Sequence, residues 1–230
     1  MKTIYKSKNI NNIICIILLT MITFVSCNKE SYIQGEFGTV TDIDGNVYQT
    51  VIIGTQVWMV ENLKVTHYRN GDSIMYKNSN WPSFPAYCDY NFTPSYSITY
   101  GRLYNFYAVV DNRKLCPLGW HVPSDAEWTT LTTYFGGESI AGGKLKEAGL
   151  THWLSPNTGA TNETGFTALP SGYLGVNGNF MGTLGYYGWF WSSTKYSSNS
   201  WYRSMISSSG NVSRNTADEK CFLSVRCIKD

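Results

Sequence analysis

The chain has 230 residues, with 18 Lys and Arg against 16 Asp and Glu, 15% aromatic residues and 21 glycines. That length supports one sizeable hydrophobic core, or at most two small ones. The glycine and aromatic content excludes a helical bundle, and without any Lys/Arg cluster no nucleic-acid partner is expected.

Lys2, Lys6 and Lys8 open the chain, and no acidic residue precedes Glu30. Ile13 through Val25 is then apolar apart from two threonines. This run is shorter than the ~20 residues of a membrane-spanning helix and suits a secretory signal. Ser26 before Cys27 matches the small-residue-then-cysteine pattern of lipoprotein processing. Residues 1–26 are therefore expected to be a lipoprotein signal peptide and Cys27 the lipidation site. The first expected partner is a membrane, reached through the lipid anchor, and the expected location is the cell envelope. The outer membrane is the expected anchor point, with the domain on either its periplasmic or its surface side. Removing 26 of 230 residues leaves 204, and the loss of three lysines leaves 15 basic against 16 acidic side chains. Four cysteines follow the anchor, Cys88, Cys116, Cys221 and Cys227. An even number in an exported chain argues for two disulfides, with three pairings open.

Residues 27–39 are polar and read as a tether, and the domain is expected over residues 40–230. Val47, Val51 and Ile53 alternate with Tyr48, Thr50 and Ile52 before Gly54-Thr55-Gln56 and Val57-Trp58-Met59-Val60. That pattern predicts a β-hairpin. Residues 69–99 scatter Asn, Ser, Pro and Gly among isolated aromatics and read as long ordered loops. Ser124 and Glu127 form a capping box, Trp128, Leu131 and Phe135 share one helical face, and Gly136-Gly137 stops the helix. A second short helix is expected over about residues 139–148. Short strands are expected at residues 166–169, 189–191, 201–206, 211–215 and 222–228, with a hairpin turn at Ser209-Gly210-Asn211. Two helices among many short strands define an α+β domain.

Several motifs carry a resemblance. They are Asp42-Ile43-Asp44-Gly45-Asn46-Val47-Tyr48, Gln56-Val57-Trp58-Met59-Val60-Glu61-Asn62-Leu63 and Tyr100-Gly101-Arg102-Leu103-Tyr104-Asn105. Cys116-Pro117-Leu118-Gly119-Trp120-His121-Val122-Pro123-Ser124 with Glu127-Trp128, and Ser224-Val225-Arg226-Cys227, complete the set. Over about residues 40–230 the chain resembles the Fibrobacter succinogenes major paralogous domain, found mostly in exported proteins and lipoproteins of Bacteroidetes and Fibrobacteres. The resemblance implies a C-type lectin-like fold: twisted antiparallel sheets, two short helices and long loops, with the first and last strands side by side. It also implies a Cys116–Cys227 disulfide, leaving Cys88 with Cys221 as the second pair. Closing a loop on the order of a hundred residues stabilises by ~4–5 kcal/mol in the chain-entropy model.

Candidate chemistry is sparse. Asp42, Asp44 and Asn46 with Gly45 suggest a calcium loop, but an EF-hand needs glycine at position six and glutamate at twelve; here these fall at Val47 and Ile53. A turn opening the first hairpin is the expectation. Lectin-type calcium binding would need Glu-Pro-Asn where the chain has Ser155-Pro156-Asn157, and a Trp-Asn-Asp that it lacks. His67, His121 and His152 show neither metal spacing nor a neighbouring nucleophile. Formylglycine-generating enzymes, which share a related fold and an Arg-Cys ending, need a cysteine pair upstream, and Trp201-Tyr202-Arg203-Ser204-Met205 holds none. No catalytic residue, metal or cofactor is expected. Trp58, Trp120, Trp128, Trp189 and Trp191 read as core. Trp81, Tyr87, Tyr90, Tyr96, Tyr186, Tyr187 and Tyr196 lie in polar loops and are the candidate binding residues, for a glycan or an envelope protein. The expected function is a non-catalytic envelope lipoprotein displaying binding loops. The alternative is a structural envelope component, and an enzyme of the formylglycine-generating class ranks third.

Overall fold

The computed structural model describes residues 37–77, 82–181 and 184–230. The expected signal peptide, Cys27, most of the expected tether and Trp81 lie outside the described residues. Strand β1 (Phe37–Thr41) pairs antiparallel with β2 (Val47–Ile53), from Phe37↔Val51 to Thr41↔Val47. Among the described residues the ladder pairing includes residues 37–39, the end of the expected tether. Asp42 closes this hairpin: its carboxylate accepts from the Asp44 and Asn46 amides, from Asn46 Nδ2, and from the Tyr48 hydroxyl at 2.6 Å. Its acceptors serve a turn, as the spacing predicts. Gly54 (φ 61°) then turns the chain into β3 (Gln56–Met59).

The segment expected to be loops carries β4 (Met75–Tyr76), β5 (Ala86–Cys88), one 3-10 turn over Tyr90–Phe92 and α1 (Pro94–Tyr100). Pro94 at the first helical position starts α1. Next come β6 (Leu103–Asn105), α2 (Phe106–Val109), β7 (Trp120–His121), α3 (Asp125–Tyr134) and α4 (Glu138–Leu145). The helix over Ser124's capping box forms as expected, and Trp128, Leu131 and Phe135 are buried. Helices α1 and α2 correct the expectation of two; seven and four residues are too few to show a helical stripe.

The last third contains β8 (Tyr173–Leu174), β9 (Phe180–Met181), β10 (Tyr187–Tyr196), β11 (Asn199–Ile206) and β12 (Val212–Asp218). It ends with β13 (Phe222–Ser224) and β14 (Ile228–Lys229). Residues 166–169 form a single bridge, Lys146↔Ala168, instead of a strand. The strand expected over 222–228 is two, because the chain changes sheets between Ser224 and Ile228. One sheet has the order β1-β2-β3-β14-β7, and the other runs β12-β11-β10-β13-β6-β5-β4 with β8 and β9 attached. Pairing is antiparallel except for β10 with β13 and β4 with β5. The closing strand β14 lies beside β3, with Ile228 opposite Trp58.

Cys116 and Cys227 form a disulfide across 111 residues, tying the loop before α3 to the start of β14. The second expected pair does not form: Cys88 and Cys221 are free and buried. Cys88 stands opposite Leu103, which stands opposite Ser224, three residues beyond Cys221. Two inter-strand steps and three residues along a strand separate the pair by roughly 14 Å, twice the Cα span a disulfide tolerates.

Candidate functional site

The recurrent motifs meet inside the molecule, in contacts that hold the two sheets together. Arg226 is fully buried; its guanidinium donates to Asn62 Oδ1 at 2.8 Å and to the Phe166 and Thr167 carbonyls, and its plane lies 4.3 Å from the Phe166 ring. Asn62 Nδ2 donates to the Tyr100 carbonyl at 2.9 Å, next to Gly101, where a Cβ would lie 2.6 Å from that of Asn62. Gly101 takes φ 74°, so the position demands glycine twice over. Tyr48 accepts from the Lys64 amide, Tyr104 donates to the Val65 carbonyl, and Asn105 caps α2. His121 sits between Glu127 (2.8 Å) and Asp230 (2.7 Å). Partial burial works against its charge, but the two carboxylates prevail and raise its pKa.

Concavities gather elsewhere, along two loops that hydrogen-bond to each other. The Arg69 amide donates to the Lys114 carbonyl at 2.9 Å. The Arg69 side chain donates to the Cys116, Pro117 and Trp120 carbonyls at 2.9, 2.8 and 2.7 Å, fixing both loops beside the disulfide. Around this seam lies a cavity of about 260 Å³ reaching Trp120, His121 and Ser193, and another of about 380 Å³ reaching Ile43 and Leu118. A third, of about 520 Å³, is lined by Arg69, Asn70, Asn112, Arg113 and Lys114. Arg113 continues the belt into an aromatic-walled cavity of about 410 Å³, lined by Tyr68, Ser73, Ile74, Met75, Tyr76, Phe84 and Pro85 among others. The Arg113 guanidinium lies 4.1 Å from the Tyr68 ring, and it pairs with Asp111 (2.8 Å) and Asp72 (3.3 Å). The Arg113 hydrogen bond holds the Asp111 carboxyl below its ordinary range. Met75 and Phe84 stand 59% and 51% exposed at the lip, so apolar surface faces solvent at a polar-rimmed hollow. Sequence reasoning missed this belt, although Arg113 and Lys114 beside Asn112 in a polar loop were a visible signal.

The structure scatters the expected binding aromatics. Tyr90 and Tyr96 meet at 5.6 Å and share a cluster with Phe92 and Phe180. Tyr186 and Tyr187 meet at 4.7 Å, and Tyr187 abuts Trp189. Trp189, expected in the core, is half-buried, with Tyr173 and Tyr202 rings 4.2 and 4.6 Å away. Tyr87 is half-buried, with its ring 5.3 Å from that of Tyr76, one of the residues lining the aromatic-walled cavity. Tyr196 stands apart, on Trp201, whose ring lies 3.7 Å from the Arg214 guanidinium.

Other reactive side chains have structural partners. Among the described residues no group of three or more His, Cys, Asp or Glu is placed to hold a metal ion. Asn157 of the Ser155-Pro156-Asn157 stretch donates to the Glu147 and Gly149 carbonyls. Arg203, within Trp201–Met205, is buried and paired with Asp125 at 2.7 Å. Burial raises both free thiols, Cys221 to about 11, which leaves them unreactive thiols at neutral pH.

The family model of the Fibrobacter succinogenes major domain matches residues 51–229. The chain belongs to this family. No curated protein and no solved structure matches the chain. The match spans Asn62, Gly101, the disulfide and Arg226, so these family motifs coincide with the contacts that hold the sheets together. The belt around Arg69 and Arg113 also lies within the matched segment.

Proposed function

We propose that the protein is a non-catalytic, lipid-anchored component of the cell envelope whose domain, of C-type lectin-like architecture, binds a glycan. The architecture is suggested by β14 beside β3, by α3 and α4 between the sheets, and by the disulfide from before α3 to the last strand. The observation that carries the binding reading is the aromatic-walled cavity of about 410 Å³ with exposed Phe84 and Met75, while the motif residues are taken up in the core. Sugar rings present flat apolar faces edged by hydroxyls; Tyr76 and Phe84 supply accessible rings, and Ser73 and Arg113 supply polar groups. A glycan array probed with wild-type protein and Phe84→Ala tests it. Binding that Phe84→Ala abolishes supports the proposal; an empty array for a folded protein removes it.

A second reading is a structural role with an envelope protein as partner. Leu118 is 83% and Ile43 52% exposed around the neighbouring cavity, more apolar surface than a sugar needs. Crosslinking in intact cells that captures one envelope protein, lost in Leu118→Ser, would favour it. The formylglycine-generating reading is disfavoured by the absence of cysteine from Trp201–Met205 and by the buried state of Cys88 and Cys221.

A further inference from the structure

The glycan-binding reading leaves open which class of sugar the belt selects, and the charges along it bear on that choice. Arg69, Arg113 and Lys114 line one concavity of about 520 Å³, and Arg113 also lines the aromatic-walled cavity. The acids nearest to it are already engaged: Asp111 and Asp72 both pair with Arg113. Asp42, in the adjoining cavity, is filled by its turn and Tyr48, and His121 is flanked by Glu127 and Asp230. Arg69 donates from Nε and Nη2 to three carbonyls and, among the described residues, forms no ion pair with a carboxylate. Among the described residues the Lys114 ammonium has no hydrogen-bond or ion-pair partner and stands exposed in the same hollow.

Lys114 is also held in an unusual way. Its backbone takes φ 64°, a left-handed conformation that asparagine or glycine adopts more cheaply than lysine. Both its backbone groups are used: the amide donates to the Asp111 carbonyl at 3.0 Å, and the carbonyl accepts from Arg69. The turn therefore fixes the backbone of an exposed lysine that lines the hollow. Asn112 lies beside it, exposed, with an amide available for hydroxyls.

We propose, on the glycan-binding reading above, that the ligand is an acidic glycan: a uronate-bearing chain whose sugar ring rests on Tyr76 and Phe84 while its carboxylate pairs with Lys114 beside Arg69. The full-length protein in detergent is titrated calorimetrically with tetragalacturonic acid and with its neutral methyl ester. An exposed charge pair contributes up to ~1 kcal/mol, so the acid should bind about fivefold tighter than the ester. The preference should shrink between about 20 mM and about 200 mM salt. Lys114→Asn suits the left-handed turn, should keep the fold, and should erase the preference; Lys114→Glu should reverse it. Equal binding of acid and ester, or an acid preference that survives in Lys114→Asn, overturns this inference and leaves the glycan reading standing. If neither oligosaccharide binds, the inference falls, and the glycan array then decides the broader reading separately.

Discussion

Gly142→Ala places a methyl group where helix α4 meets the turn between β11 and β12. The added carbon would lie 2.5 Å from the Asn211 carbonyl carbon and 2.9 Å from the Gly210 oxygen, and closer still to the Asn211 oxygen. Carbon atoms rest about 3.5–4.0 Å apart, so helix and turn must separate by about 1 Å. That separation strains the hydrogen bond from the Gly143 amide to the Gly210 carbonyl, 2.8 Å. It also pulls the Ile206 and Ser209 carbonyls from the buried Lys146 ammonium, to which they accept at 3.0 and 2.8 Å. Overpacking costs about 1–3 kcal/mol and a weakened hydrogen bond about 1 kcal/mol. Against these, alanine gains about 1 kcal/mol of helix propensity. The net expectation is a loss of about 2 kcal/mol, or a melting temperature about 4–8 °C lower for a domain of this size. Urea denaturation of Gly142→Ala beside Ser139→Ala, an exposed site in the same helix, separates the terms. Ser139→Ala should shift stability by no more than about 0.5 kcal/mol. A Gly142→Ala protein as stable as wild type, or more stable, would refute the close packing of α4 on this turn.

Replacing both Cys116 and Cys227 by serine should lower stability by about 4 kcal/mol in urea, since their bond spans 111 residues. Non-reducing peptide mapping should find that bond alone among Cys88, Cys116, Cys221 and Cys227, with Cys88 and Cys221 alkylated only after denaturation; a Cys88–Cys221 crosslink would contradict the strand register. Asn62→Leu should cost about 3–5 kcal/mol, because Arg226 is left as a buried charge short of its best acceptor; a loss under about 1 kcal/mol would mean that water or another group takes its place. His121 has a folded pKa above its ordinary 6.5, so its stabilising contribution is full below pH 6.5 and fades as pH rises through the higher folded value. Wild type should therefore exceed His121→Gln in urea midpoint at about pH 6 and lose part of that margin by about pH 8; an unchanged margin would show that His121 does not pair with Glu127 and Asp230.

Local chemistry made part of this fold legible. Ser124 and Glu127 define the start of α3 because a capping box is complete within one helical turn, and Gly136-Gly137 ends it within the next. The hairpin at residues 47–59 declares itself through alternation and turn residues, and the one joining the strands expected at 201–206 and 211–215 through its Ser209-Gly210-Asn211 turn; neither signal needs a distant partner. The motifs fitted a family whose implied Cys116–Cys227 bond is present. Composition and spacing could not place Cys88 and Cys221, which depend on strand order, nor divide β13 from β14, which belong to different sheets.

The sequence by itself determined the α+β class, the capped helix and the hairpins, because neighbours a few residues apart hold all the needed information. Tertiary structure alone decided the belt, since Arg69 and Lys114 become neighbours only when two loops close on each other. It also decided what Gly142 is for: propensity reads that glycine as a weak point of a helix, whereas the backbone of the facing turn leaves no volume for a side chain.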